Sequence, residues 1–258
     1  MDEKKIKREY KNNKKIIKDD YKRRRNALKK EHYDRLSGTL VNRKNKQIIN
    51  PPLRHGLEEI GNSITHLLGA VFSIVAFLLM IVSADDGYEI MGAVIYFVGL
   101  FLMFTASCLY HAFPYGSTVK RLFRRFDYSS IYLLIGATFA PILLSYVGGT
   151  LGFSFFIVQW LVIAAGISLV GVFGPTRLRF IHIPLYVILG WCGIIFLPQM
   201  IRNGDISFLL FILGGGVIYS VGIIPFVLKK RAAHFIWHLF VLAGATVQWI
   251  GVWLEIYS

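Results

Sequence analysis

The chain has 258 residues, 55% of them hydrophobic, yet its formal net charge at pH 7 is +14. These two properties occupy different parts of the sequence, because nineteen of the 29 Lys and Arg residues lie between Lys4 and Arg54. Beyond Glu58 the chain consists of long apolar runs separated by short polar breaks, and no soluble core could absorb runs of this length and number. The composition therefore excludes a soluble globular protein and predicts a polytopic membrane protein with a basic soluble tail.

Cysteine usage and short motifs exclude further classes. Cys108 and Cys192 both sit inside apolar runs, which excludes a disulfide framework and a cysteine-based zinc site. The first 50 residues are too charged for the apolar segment of a secretory signal peptide, so we expect the first transmembrane helix to direct insertion. The sequence contains neither a Gly-rich phosphate loop followed by Lys nor a GxSxG nucleophile elbow.

The apolar runs predict the transmembrane helices, since a helix needs about 20 mainly apolar residues to cross a bilayer. The seven predicted spans are 62–83, 88–110, 127–147, 152–173, 180–199, 206–228 and 234–255. The breaks between them contain Gly, Pro or charged residues, which are typical of turns. We therefore expect an all-α membrane protein with two parts. These are a basic, partly helical N-terminal cytoplasmic tail over 1–55 and a seven-transmembrane helix bundle over 56–258.

Positive charge predicts the orientation, because cytoplasmic loops carry an excess of Lys and Arg. With the N-terminus in the cytoplasm, thirteen basic residues near the span ends lie inside, and only Arg202 lies outside. The thirteen are Arg43, Lys44, Lys46, Arg54, Lys120, Arg121, Arg124, Arg125, Arg177, Arg179, Lys229, Lys230 and Arg231. The sequence thus predicts a multi-pass protein of the plasma membrane, with its N-terminus in the cytoplasm and its C-terminus outside.

The tail has a narrow apolar stripe if it is helical. At 100° per residue, five apolar side chains fall within roughly 60° of one another, namely Ile6, Tyr10, Ile17, Tyr21 and Leu28. One interpretation is a solvated basic arm, and the other is a surface helix that lies against anionic cytoplasmic lipid. Membrane lipids are the expected partners. Nucleic acid is not expected as a partner, because the arm is tethered to a membrane.

Ionisable residues inside or at the edge of membrane spans are costly, so each is a functional hypothesis. They are His66, His111, Asp127, His234 and His238, with Ser107 and Gln248 as neutral polar companions. In the predicted topology the five ionisable residues map to the cytoplasmic ends of four helices and share one membrane depth. We expect Gln248, which lies far along the last helix, to join helices.

The spacing within the helices favours a metal site. His234 and His238 are four residues apart and lie on one helix face, as two ligands of one metal must. With His111 they would leave a tetrahedral zinc with an open fourth position, the arrangement in which a bound water is acidified. Asp127 could then hydrogen-bond that water or take its proton, while Ser107 could polarise or orient. The same residues also fit a proton relay or a substrate site without metal.

Three motifs resemble those of the hemolysin III group, which belongs to the progestin and adiponectin receptor family. The segment Glu59-Ile60-Gly61-Asn62-Ser63-Ile64-Thr65-His66 is similar to the E-x-x-N-x-x-T-H opening of that group. Ser107-Cys108-Leu109-Tyr110-His111 is similar to its S-x-x-Y-H segment, and Asp127 follows. His234-Phe235-Ile236-Trp237-His238 resembles its H-x-x-x-H segment. The motifs occur in order over about 58–258, and the basic tail lies outside the resemblance.

The resemblance implies a seven-helix membrane fold with the N-terminus inside and a bound zinc ion. It implies roles for eight residues: zinc ligands at His111, His234 and His238, catalytic groups at Asp127 and Ser107, and supporting contacts from Glu59, Asn62 and His66. Similar sites in the wider superfamily are linked to hydrolysis of lipid amides such as ceramide. Bacterial-type members are named for haemolysis and have been linked to membrane homeostasis.

Three functions are the main candidates after these observations. The first is zinc-dependent hydrolysis of a lipid amide or ester, in which Asp127 manages the proton and zinc stabilises the oxyanion. The second is a non-enzymatic membrane-stress or receptor-like protein in which zinc is structural. The third is cytolysis, the property in the family name, which we rank last because a secreted pore-former should be soluble before insertion. Proton or ion transport also stays open, although only Asp127 among the carboxylates lies close enough to a span to serve it.

Overall fold

A computed structural model describes residues 3–36, 54, 56–228, 230 and 232–258. Within these residues the tail contains one helix, α1 (Glu3–Leu36). Seven further helices are long and apolar enough to cross a membrane: α2 (Gly56–Ser83), α3 (Gly87–Ala112), α4 (Thr118–Val147), α5 (Gly149–Phe173), α6 (Arg179–Asn203), α7 (Ile206–Val227) and α8 (Ala233–Tyr257). The predicted all-α fold with seven transmembrane helices is therefore confirmed.

Several sequence predictions fall on residues outside the described part of the chain. These are five of the basic residues used for the orientation, namely Arg43, Lys44, Lys46, Lys229 and Arg231, and the side chain of Ile6 in the apolar stripe. The other four members of the stripe lie on α1 with about two thirds of each side chain exposed. The predicted helical part of the tail is thus present as α1.

The largest difference from the predicted spans is at the start of α4, which begins at Thr118 instead of residue 127. Ser117 caps this helix, because its Oγ accepts a hydrogen bond from the Lys120 backbone N–H at 3.0 Å. The basic residues predicted to lie in a loop therefore lie on the first turns of α4. Hydropathy fails here because Lys120 and Arg124 are charged and yet buried within the bundle.

The helix α2 also begins earlier than predicted, at Gly56 instead of residue 62, and α6 extends to Asn203. The other four spans begin and end within three residues of the prediction. The early start of α2 places Glu59 on the helix, where its side chain faces the end of α3.

The helix α4 is the most buried of the seven spans and packs against α3, α5 and α6. Small residues allow close approach at its contact with α3, where Gly99 lies against Ala137. On the other side, α8 packs against α7 and α2. Gln248 joins α8 to α7, because its Nε2 donates to the Ile212 carbonyl oxygen at 3.3 Å.

Candidate metal centre

The side chains of His111, His234 and His238 meet at one end of the bundle, which we call the histidine end. One ligand nitrogen from each lies within 4.8 Å of the other two. His111 is the penultimate residue of α3, and His234 is the second residue of α8 with His238 one turn further on. The two helices therefore bring together the three residues that the spacing singled out.

Each of these imidazoles has a buried nitrogen without a hydrogen-bond partner in the described part of the chain: His111 Nε2, His234 Nε2 and His238 Nδ1. A buried polar atom without a partner is unfavourable. A single metal ion bound to the three nitrogens would satisfy all of them. Three imidazoles with a free fourth position form a donor set that zinc accepts, so the residues fit the group that the sequence motifs imply.

The other ring nitrogen of His111, Nδ1, contacts two residues of the first sequence motif, Glu59 and Asn62. Glu59 Oε2 lies 2.7 Å from His111 Nδ1, and Asn62 Nδ2 lies 3.3 Å from the same nitrogen. Because a carboxylate only accepts hydrogen bonds, Nδ1 carries the proton and Nε2 is left free for a metal. Glu59 and Asn62 therefore contact His111 directly.

His66, the last residue of the first motif, contacts a different histidine. Its ring stacks on that of His238 with 3.7 Å between the centroids and 20° between the planes. Phe104 packs edge-on against the other side of the His66 ring. The His66 side chain is buried, and it fixes the orientation of the His238 ring by packing.

Sequence reasoning missed Lys120, which stands next to this network and has only 1% of its surface exposed. Its Nζ lies 3.3 Å from Glu59 Oε2 and donates to the carbonyl oxygens of Tyr110 at 2.8 Å and Phe113 at 3.0 Å. These carbonyls belong to the end of α3, where a cation is favourable. Positions 120, 124 and 127 share one face of a helix, and this spacing could have indicated that Lys120 lies near Asp127. The predicted helix began only at residue 127, so Lys120 was assigned to a loop.

Arg54 was also missed as a neighbour of the site. Its Nη1 lies 3.4 Å from the Tyr110 hydroxyl and 3.9 Å from Glu59 Oε1. The Glu59 carboxylate is therefore flanked by two cations and by His111. Charge at this position is balanced mainly by Lys120, which is the closer of the two cations.

A cavity extends from the histidine end into the bundle. Its lining includes His66, Ser107, Asp127, His234 and His238, which places both predicted catalytic residues beside the histidines. Ser107 is buried in this lining. The cavity therefore brings an acid, a hydroxyl group and two of the candidate ligands, His234 and His238, to one space.

The rest of the cavity is long and largely apolar. Its lining continues along α8 from His234 to Gln248, fourteen residues apart, which corresponds to about 21 Å along the helix axis. Trp191 and Trp237 also line it. A cavity of this shape matches an extended hydrocarbon chain better than a compact polar molecule.

Comparisons with known proteins agree with the positions of these motifs. The family model described as haemolysin-III related matches residues 55–249. Hemolysin-3 of Bacillus cereus is 35% identical over 199 residues, which are 76% of this chain and 90% of that protein. The hemolysin-3 homolog of Bacillus subtilis is 34% identical over 201 residues, 76% of this chain and 92% of the relative. Monocyte to macrophage differentiation factor of Homo sapiens is 30% identical over 212 residues, covering 78% and 85% of the two chains.

Proposed function

Because this chain belongs to the haemolysin III-related family, we propose that it is an integral membrane hydrolase that uses zinc to cleave a lipid amide or ester. The observation that carries the proposal is the placement of three unpartnered imidazole nitrogens beside a long apolar cavity. The proposed ligands are His111, His234 and His238. The cavity is the proposed site of the lipid chain.

A bound zinc ion supplies a Lewis acid for a carbonyl oxygen and an acidified water. Asp127 lines the same space and serves as the proton acceptor, returning the proton to the leaving group. Ser107 lies on the face of α3 that carries His111, and its hydroxyl group donates to the substrate carbonyl oxygen. Glu59 keeps His111 in the tautomer with Nε2 free, Asn62 packs beside the same ring, and His66 holds the ring of His238.

The first test is the metal content of the purified protein beside that of the His234→Ala/His238→Ala variant. We expect about one zinc ion per wild-type chain and none in the variant. His182→Ala is the matched control, because His182 is also buried but contacts the Tyr132 hydroxyl group at 2.9 Å and lies outside the site. A wild-type protein without metal would contradict the proposal.

Structural zinc without turnover is the competing proposal, and the geometry gives it one specific support. The histidine end ties α2 to α3 through Glu59 and His111, and α2 to α8 through His66 and His238. Metal removal should lower the thermal stability under either proposal. Hydrolysis of lipid amides and esters by the zinc-loaded protein therefore distinguishes them, since only the hydrolase releases a fatty acid.

Cytolysis, the property named in two Bacillus relatives, is tested with the same preparations. Release of haemoglobin from erythrocytes is compared between the wild-type protein and the Asp127→Asn variant. Lysis that persists in the variant is independent of hydrolysis and reflects membrane damage by the protein itself. Lysis that disappears in the variant is a consequence of lipid cleavage.

We further propose a plasma-membrane location with the histidine end and the tail, 1–55, on the cytoplasmic side. The support is the excess of Lys and Arg near that end. The helix α1 carries fifteen Lys and Arg residues against six Asp and Glu residues. Its apolar side chains Tyr10, Ile17, Tyr21 and Leu28 are exposed. Both features favour a helix that lies on an anionic lipid surface.

A further inference from the structure

Arg124 is a buried cation that takes no part in the proposed metal site. Its side chain has only 6% of its surface exposed, and its Nε and Nη1 atoms have no hydrogen-bond partner among the described residues. The ring of Tyr128 faces the guanidinium, with its centroid 5.9 Å from the guanidinium carbon. A ring face attracts a cation, but the Nε–H and Nη1–H donors still have no hydrogen-bond acceptor in the described part of the chain.

The position of Arg124 connects it to the cavity. Lys120, Arg124 and Asp127 are spaced by four and three residues on α4 and therefore share one helix face. Asp127 and Tyr128 both line the cavity, and the Tyr128 ring centroid lies 5.9 Å from the guanidinium carbon of Arg124. Arg124 therefore lies beside a residue of the cavity wall, about one helical turn before Asp127.

Within the described residues, the charges around Arg124 are not fully balanced. Lys120 and Arg54 share the carboxylate of Glu59, at 3.3 Å and 3.9 Å. Asp127 is the second acid of the histidine end, and it forms no ion pair with Arg124 within 4.0 Å in the described chain. In the described part of the chain the cations Arg54, Lys120 and Arg124 therefore face the acids Glu59 and Asp127 before any metal binds. A buried charge that lacks a partner is unfavourable. An anionic group from outside the protein would supply the missing partner.

We propose that Arg124 binds the anionic oxygen group of an amphiphile whose hydrocarbon chain occupies the cavity. The guanidinium presents a planar fork of N–H donors that matches a phosphate or carboxylate group. The long apolar wall beyond Asp127 accommodates the chain. The inference rests on the proposed use of the cavity by a lipid and adds that the lipid is acidic. It requires neither a bound metal nor catalysis.

The test measures lipid binding by the full-length protein in a neutral detergent. The probes are phosphatidic acid and diacylglycerol with the same brominated acyl chains, because bromine quenches the fluorescence of nearby tryptophans and Trp191 and Trp237 line the cavity. We expect the wild-type protein to bind the phosphatidic acid about tenfold more tightly than the diacylglycerol. Inorganic phosphate in excess should not displace the lipid. Displacement by inorganic phosphate would overturn the proposal in favour of a site for a free anion.

Two variants and one control assign the preference to this residue. Arg124→Met should bind both lipids equally, and Arg124→Lys should keep part of the preference, because it keeps the charge without the fork. Arg125→Met is the matched control, since Arg125 is the exposed neighbour on the same helix, and it should behave as the wild type. An unchanged preference in Arg124→Met would overturn the proposal.

Thermal unfolding of the same variants checks whether Arg124 has a structural role instead. Because the Nε–H and Nη1–H donors have no partner among the described residues, Arg124→Met should unfold at a temperature equal to or above that of the wild type. A large decrease would show that the protein itself pairs with Arg124, and would overturn the proposal.

The lipid titrations are repeated after chelation of metal. A preference that survives chelation supports Arg124 even if zinc hydrolysis fails, whereas a preference lost on chelation assigns the anion to the metal and overturns the inference.

Discussion

Lys120 and Glu59 form an ion pair beside the candidate metal centre, with 3.3 Å between Nζ and Oε2. The same carboxylate oxygen lies 2.7 Å from His111 Nδ1. A cation on α4 therefore holds an acid on α2, which in turn orients a histidine on α3. With the pair only 1% and 16% exposed at its side chains, the orientation of one candidate ligand depends on the packing of three helices.

The first prediction concerns the loss of this cation. Lys120→Met keeps the length of the side chain but leaves Glu59 without its closer cation and the carbonyl oxygens at the end of α3 without their donor. Removing one partner of a buried ion pair costs about 3 to 5 kcal/mol. In a chain of this size we expect the thermal unfolding temperature to fall by on the order of 10 °C, measured in detergent by the loss of helical circular dichroism.

The control for this experiment is Arg125→Met, which removes an exposed cation from the same helix and should change stability by less than about 0.5 kcal/mol. The double variant Glu59→Gln/Lys120→Met should recover part of the lost stability, because the Glu59 charge is then removed together with that of its closer cation. If the double variant were as unstable as the sum of the two single changes, the ion pair would not be the cause.

The second prediction concerns the hydrogen bond from His111 to Glu59. Glu59→Gln keeps the size of the side chain but replaces the strong acceptor of the Nδ1 proton by a neutral amide. Loss of such a contact behind a ligand lowers metal affinity by about 10- to 100-fold. Competition with a chelator measures the affinity, and Glu58→Gln, which lies next to it in the first turn of α2, is the control. An affinity equal to that of the wild type would show that His111 is not a ligand or does not need Glu59.

Much of the candidate metal centre could be predicted from the sequence. The contacts that could not be predicted depend on how the helices pack against one another. The four-residue spacing of His234 and His238 fixes a shared helix face, so their convergence was predictable. The pairing of His66 with His238 was not, because it depends on how α2 packs against α8. Lys120 was missed since a hydropathy window counts a charged residue as loop. Its charge is tolerated here only because Glu59 and the end of α3 surround it.

The third prediction tests the contact that positions α3 on α4. A methyl group on Gly99 would overlap the Ala137 side chain and the Leu133 carbonyl oxygen. Gly99→Ala should therefore destabilise the bundle by about 1 to 3 kcal/mol, visible as a lower unfolding temperature. Gly171→Ala is the control, because nothing lies within 4 Å of the added methyl group and alanine favours a helix over glycine. Equal stability of the two variants would contradict the close packing of α3 on α4.

The fourth prediction separates catalysis from metal binding at the histidine end. Asp127→Asn removes the proposed proton acceptor while leaving the three imidazoles in place. We expect hydrolysis of the lipid substrate to fall by about 10²- to 10⁴-fold, with the zinc content unchanged. Asp85→Asn, an exposed acid before α3, should keep full activity. Full activity in Asp127→Asn would remove this residue from the mechanism, and simultaneous loss of zinc would make it a structural residue of the site.

The last prediction concerns the surface of α1. A fluorophore attached at Ile17→Cys, in a background with Cys108→Ala and Cys192→Ala, reports the polarity around the apolar stripe. In nanodiscs that contain anionic lipid we expect a blue shift of its emission that is absent in neutral nanodiscs and is reduced by salt. Each basic residue near such a surface contributes about 1 kcal/mol to the free energy of binding, and salt screens this attraction.

Lys15→Cys is the matched control. It is exposed like Ile17 but lies about 200° away around the helix, on the basic side. Equal shifts at both positions would mean that α1 does not lie on the membrane through its apolar stripe. A shift produced by added RNA in place of anionic lipid would assign the charge of the tail to a nucleic acid.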